Sequence, residues 1–193
     1  MNASLPIKIF IDQGHNPTNP NAGAEGNGLR EQDLTYEIGV RLAALLRADP
    51  RFDVRLSRNS PEESLGNSNA SSLAARTTAA NAWGADYFIS IHLNASEYPS
   101  ANGSEAFVYA LGGVSEDFAG SILQGLTEAT GFRDLGVFSR PSLYVLRRTA
   151  MPATLVEVGF ITNPEEAFFI RDNTALIARG MYNGILRFFG EAI

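Results

Sequence analysis

Ile7-Lys8-Ile9-Phe10-Ile11-Asp12-Gln13-Gly14-His15 is the stretch that decides the fold class. A short run of β-branched and aromatic residues, broken by glycine and then a polar side chain, reads as a buried strand opening into a turn. Tyr87-Phe88-Ile89-Ser90-Ile91-His92 repeats the arrangement. Between the two lies a helical pattern over residues 31–48, with Leu34, Ile38, Leu42, Leu45 and Leu46 on one stripe. The alternation continues with a half-buried strand over 52–56, a helix over 73–83, a strand over 106–111 and a helix over 116–130 closed by Gly131. Ala153-Thr154-Leu155-Val156-Glu157-Val158 is a further apolar strand. Asn163-Pro164-Glu165-Glu166 starts a helix, with asparagine as cap, proline at the first turn and acids facing the dipole. A last helix over 174–189 carries Ile177, Met181, Ile185 and Phe188 on one face. Residues 16–28 and 59–72 read as loops, the first long enough to suggest a functional one. With no repeat, low-complexity tract or linker, this predicts one α/β domain over 1–193, its core at about 7–190.

Composition narrows the partners. The 193 residues are 45% hydrophobic, enough for one packed core. A net charge of −6 argues against a nucleic-acid backbone as partner, and no basic cluster marks an anionic lipid surface. No stretch reaches the roughly 18 apolar residues of a membrane span. Met1-Asn2-Ala3-Ser4-Leu5-Pro6 lacks the basic start and apolar core of a signal peptide, so the chain is intracellular or its leader lies outside these residues. With no cysteine there is neither disulfide nor thiolate, and any metal must be held by histidine and carboxylate.

The chain has two histidines, His15 and His92, and both stand where an apolar strand ends. In an open α/β sheet that is where ligand crevices form, and imidazole is the commonest metal ligand. Two unrelated, satisfied histidines are the other reading. Glu31 lies three residues before Leu34, on the core-facing stripe; it is either a paired carboxylate or simply a first-turn acid favoured by the dipole. Glu157 interrupts a strand fit for the centre of a sheet, so its charge needs a cation, a metal or a proton. A salt bridge to Arg147 or Arg148 would serve as well. Together the four offer a His₂Glu set with an open fourth position, plus one carboxylate able to act as general base. They are far apart in sequence, so no local His-Glu-x-x-His motif supports the set.

At these residues the chain resembles the zinc-dependent N-acetylmuramoyl-L-alanine amidases of the Amidase_3 family, bacterial and phage cell-wall hydrolases. The resemblance is carried by Asp12-Gln13-Gly14-His15, Gly28-Leu29-Arg30-Glu31-Gln32-Asp33-Leu34, Arg76 with Ala79-Ala80-Asn81, and Ser90-Ile91-His92-Leu93-Asn94-Ala95. Leu143-Tyr144-Val145-Leu146-Arg147 and the run from Val156-Glu157-Val158-Gly159 to Asn163-Pro164 complete it. It implies a mixed, twisted sheet of about six strands with helices on both faces, and one Zn²⁺ per chain on His15, Glu31 and His92. It also implies Glu157 as catalytic acid/base and Asn94 as a substrate-binding residue near the cleft; Asn94 equally suits a strand-end turn. Gln13, where the family usually has proline, puts the local turn geometry in doubt. The implied reaction is hydrolysis of the amide between N-acetylmuramic acid and L-alanine in peptidoglycan. A zinc peptidase acting on other bonds, or a non-catalytic peptidoglycan-binding module, are the alternatives. A monomer is expected, working at the cell wall or in the periplasm, or else as a phage endolysin released from the cytoplasm. No wall-binding domain is expected within 1–193, nor a cleft-plugging helix in the stretch 114–145.

Overall fold

The computed structural model describes residues 5–190; residues 1–4, most of the stretch read for a leader, and 191–193 lie outside it. Strand β1 (Ile7–Gln13) is followed by a small hairpin, β2 (Glu25–Gly26) and β3 (Leu29–Arg30), and by α1 (Glu31–Arg47) and β4 (Phe52–Leu56). Then come α2 (Asn69–Trp83), β5 (Tyr87–Asn94), β6 (Ser104–Val108), α3 (Val114–Thr130) and β7 (Asp134–Ser139). Helix α4 (Tyr144–Arg148), strand β8 (Ala153–Phe160), α5 (Pro164–Asp172) and α6 (Thr174–Phe188) close the chain.

Six strands form one mixed sheet in the order β4-β1-β5-β8-β6-β7. The neighbours from β4 to β8 are parallel, β6 runs antiparallel to β8, and β7 is parallel to β6. Side chains alternate across the pleat. Ile9, Ile11, Ile89, Ile91, Val156 and Val158 therefore face one layer with Ile38 and Leu42 of α1, Phe118 and Ile122 of α3, and Met181 and Ile185 of α6. Phe10, Phe88, Phe107 and Leu155 face the other, with Ala80 of α2 and Val145 and Leu146 of α4. Helices cover both faces, as expected.

Four local readings are corrected. The loop 16–28 ends in the first strand and turn of the hairpin β2–β3, the turn being Asn27-Gly28 with φ of 53° and 75°; both central residues lie in the left-handed region, as a two-residue type I′ hairpin requires. Helix α2 starts at Asn69, four residues before the expected 73, because Ser68 caps it and Ser71 returns a bond to the Ser68 N–H. Strand β6 spans Ser104–Val108, not 106–111, because its ladder with β7 runs from Ser104 to Val108 and its ladder with β8 from Glu105 to Phe107. Strand β7 and helix α4 fill the stretch between α3 and β8, where the sequence pattern predicts no element.

The topology gathers the chemistry at one rim. Strands β1, β5 and β8 run the same way, so their carboxyl ends lie side by side; β6 runs the other way and brings its first residues to the same rim. In register, His92 stands beside Glu157, and Glu105 stands beside Glu157 on the other side.

Candidate active site

Strand β1 leaves the sheet through Gly14, whose N–H donates to the Ile91 carbonyl at 2.9 Å. A Cβ at Gly14 would lie 2.6 Å from that oxygen and 2.7 Å from His92 Cε1, so only glycine lets the turn pass this close to β5. His15 follows with φ of 69°, a left-handed backbone uncommon in non-glycine residues. That turn brings its imidazole back over the rim toward His92, the rings 4.8 Å apart and nearly perpendicular.

Glu31 meets both histidines. His15 Nε2 lies 3.1 Å from Glu31 Oε2 and His92 Nδ1 lies 3.0 Å from Oε1. Each oxygen also accepts a backbone N–H, Oε2 from Ala24 at 2.8 Å and Oε1 from Leu93 at 3.0 Å. The first-turn acid and the buried, paired carboxylate of the sequence reading are thus one residue. Burial alone would raise the Glu31 pKa, but the hydrogen bonds and charges of His15 and His92 hold it well below the usual carboxylate range. Gly23 makes room on the loop side, since a Cβ there would fall 2.8 Å from Glu31 Oε2 and 2.9 Å from His15 Cδ2.

Ligand atoms of His15, Glu31 and His92 all lie within 4.8 Å of one another, a group able to hold a metal ion. The donor set fits zinc. Two imidazoles and one carboxylate, with no thiolate, match a three-ligand catalytic site, whereas magnesium and calcium favour oxygen alone. Tetrahedral zinc with bonds near 2.1 Å separates its ligand atoms by about 3.4 Å, and His15 Nε2 and His92 Nδ1 lie 3.1 and 3.0 Å from the two Glu31 oxygens. His15 and His92 keep 21% and 18% of their side chains exposed, so the cluster opens to solvent while Glu31 beneath it does not.

Glu157 sits on the neighbouring strand. Its Oε2 is buried and has no hydrogen-bond partner, and no ion pair to Arg147 or Arg148 forms: Arg147 points to the Ser142 carbonyl and the Tyr144 ring instead. Burial first, then the negative charges of Glu31 and Glu105, push its pKa up to about 8, with Arg140 opposing. Asn94 is turned inward, Nδ2 donating to Glu105 Oε1 at 2.6 Å and Oδ1 accepting from the Ala95 N–H at 2.9 Å. Its amide therefore fixes Glu105 opposite Glu157. Sequence reading misses Glu105 and Arg140; Glu105 follows Gly103-Ser104 with nothing local to mark it as facing another acid.

Gln13 resolves the doubt about the turn. It is fully buried; its N–H donates to Ser57 Oγ at 3.0 Å, and its Oε1 accepts from Ser57 Oγ at 3.1 Å and the Arg58 N–H at 3.0 Å. The side chain latches the end of β1 to the exit of β4 and uses a backbone N–H that proline lacks.

An expected result follows from the Glu157 carboxyl in protein stripped of metal by a chelator. Its folded pKa near 8 lies above the unfolded value of 4.5, so its contribution to stability is full below about pH 4.5 and is lost as the pH rises through about 8. A tenfold change in proton affinity is worth about 1.4 kcal/mol, which bounds the loss at a few kcal/mol. Glu157→Gln has no charge to bury. Stripped wild type and variant should melt together near about pH 5, and the variant about 5–10 °C higher near about pH 9. Parallel melting curves across that range would contradict the burial of this carboxyl.

The family model described as N-acetylmuramoyl-L-alanine amidase, Amidase_3, matches residues 9–187. The chain is 38% identical over 187 residues to the N-acetylmuramoyl-L-alanine amidase CwlM of Bacillus licheniformis, covering 95% of this chain and 69% of that protein. It is 36% identical over 187 residues to the sporulation-specific N-acetylmuramoyl-L-alanine amidase of Bacillus subtilis, covering 95% and 68%. Among solved structures, the N-acetylmuramoyl-L-alanine amidase of Clostridium difficile 630 superposes with a TM-score of 0.86 at 29% identity, covering 98% of this chain and 100% of that one.

Proposed function

Because the chain belongs to the Amidase_3 family and is an N-acetylmuramoyl-L-alanine amidase, we propose that it hydrolyses its amide at the rim formed by His15, Glu31, His92 and Glu157. The first three would hold one Zn²⁺. Zinc held there would supply a Lewis acid for the scissile carbonyl, would bring the pKa of water towards about 7, and would as a cation favour the ionised form of the neighbouring Glu157.

Glu157 Oε2 is the proton carrier. Water oxygen adds to the lactyl carbonyl carbon of N-acetylmuramic acid as its proton passes to Oε2. The carbon–nitrogen bond then breaks, and Oε2 returns the proton to the nitrogen of L-alanine. Glu105, held by Asn94, keeps negative charge beside Glu157 and favours the protonated form that the second half of the reaction needs. Asn94 thus serves the site by placing Glu105. The observation that carries this reading is the buried, unpartnered Oε2 next to a His₂Glu cluster. A binding module has no use for such an acid, and leaving it there is costly.

The partly exposed side chains of His15 and His92 support a site reached directly by substrate, working without a protein partner. No helix among the described residues is long and apolar enough to cross a membrane. The place of action is the cell wall or periplasm, where peptidoglycan lies. Purified, zinc-loaded protein on isolated muropeptides should yield peptides with a free L-alanine amino terminus, at the same rate with and without extract of its source cell. Cuts at later peptide bonds would make it a peptidase, no cuts a binding module, and cuts only with extract would overturn the self-sufficient site.

A further inference from the structure

We propose that Arg76 is a positioning residue for the His15–Glu31–His92 cluster, acting on His15 through its backbone carbonyl. The proposal rests on reading that cluster as the metal site. Arg76 lies on α2, 1% exposed, and touches none of the ligand atoms of the cluster. Its guanidinium spans the turn that carries His15. Nη1 donates to the Gln13 carbonyl at 2.6 Å and to Asp12 Oδ1 at 2.7 Å, and Nη2 donates to the His15 carbonyl at 2.5 Å and to Asn16 Oδ1 at 3.2 Å. One planar fork thus holds residues 12, 13, 15 and 16, on both sides of Gly14.

The turn needs such a hold. A left-handed non-glycine residue persists only where its surroundings over-determine it, and His15 is one. If its carbonyl were released, the backbone could relax to an extended or right-handed form and swing the imidazole off Glu31. The anchor continues into the strand of the second histidine: Asp12 Oδ2 accepts from Ser90 Oγ at 2.8 Å, two residues before His92. Asn16 extends it outward. Its amide donates to the carbonyls of Pro20 and Leu65, and its Oδ1 accepts from the Leu65 N–H, so the loop over Glu31 hangs from the same group. Arg76 and Asp12 are both 1% exposed. A buried ion pair of this kind is weak evidence for stability and better evidence for a fixed geometry. Lysine, with one point charge, cannot span the four acceptors that the fork spans.

The test compares zinc affinity by chelator competition, and the visible spectrum of the cobalt-substituted protein, in wild type, Arg76→Lys, Asp12→Asn and Ile185→Ala. Ile185, fully buried in the far layer, reports simple loss of stability. Loss of a group that orients a metal ligand lowers affinity about 10–100-fold. Arg76→Lys should show that loss with an altered cobalt spectrum, and Asp12→Asn, which keeps shape and the contact to Ser90, a smaller loss in the same direction. Ile185→Ala should melt earlier yet bind zinc as wild type does. If Arg76→Lys does not fold, Asp12→Asn decides. Wild-type affinity and spectrum in the folded Arg76 or Asp12 variant, whatever its melting temperature, overturns the role of Arg76 alone. A wild type that binds no zinc overturns the metal-site reading itself.

Discussion

Glu157→Gln should lower kcat on muropeptides by about 10²–10⁴-fold while leaving the fold and the zinc content intact, the range a positioned proton carrier contributes. The amide matches the carboxylate in shape. It fills the same space beside Glu105 and His92, so the sheet has no reason to move. What it lacks is an oxygen that can accept a proton and return it. Oε2 of Glu157 is buried and bonded to nothing in the protein, so an exchange at that atom breaks no structural contact, and a fall in rate reports chemistry. Because Glu157 acts on the proton in flight and not on binding, KM should change much less than kcat. Turnover by the zinc-loaded variant within a few-fold of wild type would return Glu157 to a structural role.

Much of this is open to reading in the chain, for reasons that lie in particular residues. His15 lies two residues past the end of β1 and His92 two residues before the end of β5, after apolar runs that are unmistakable, and a parallel sheet puts such ends at one rim. Glu31 and Glu157 are conspicuous because each places a charge where the periodic pattern asks for an apolar side chain. Those signals are local and survive without knowledge of the fold. Others are not. Strand β7, Asp134–Ser139, holds two exposed and one half-buried polar or small residue around Val137, because it is an edge strand with little to bury, and edges carry weak alternation. Helix α4 spans only Tyr144–Arg148, too short for a helical period to emerge. The hairpin turn Asn27-Gly28 is visible as a dipeptide, but strands of two residues on either side give no pattern to confirm it. The Arg76 network and the opposition of Glu105 to Glu157 depend on α2 crossing the turn and on β6 running antiparallel to β8. Neither fact is written in the neighbours of those residues. The match to a family supplies the order of the motifs, while the structure supplies what each touches.

His92→Ala should cost the site its metal and reduce hydrolysis to background. Zinc affinities of protein sites correspond to about 10–16 kcal/mol, so the loss of one ligand of three is expected to weaken binding by on the order of 10³-fold or more. That exceeds the loss expected for Arg76→Lys, because it removes a donor and does not merely loosen one. The deletion also leaves Glu31 Oε1 with the Leu93 N–H as its one remaining partner, a buried carboxylate half released from its pairing. In wild type, saturating zinc should raise the melting temperature: a hundredfold excess over Kd stabilises by about 2.7 kcal/mol, or about 5–10 °C for a domain of this size. In the variant that increment should vanish, and the melting temperature with zinc should equal that with chelator. Elemental analysis after dialysis gives the same answer independently, near one zinc per chain for wild type and near none for His92→Ala. Full zinc occupancy in the variant, with the melting increment intact, would place the metal somewhere other than between His15, Glu31 and His92, and the role of Glu157 as their neighbouring proton carrier would fall with it.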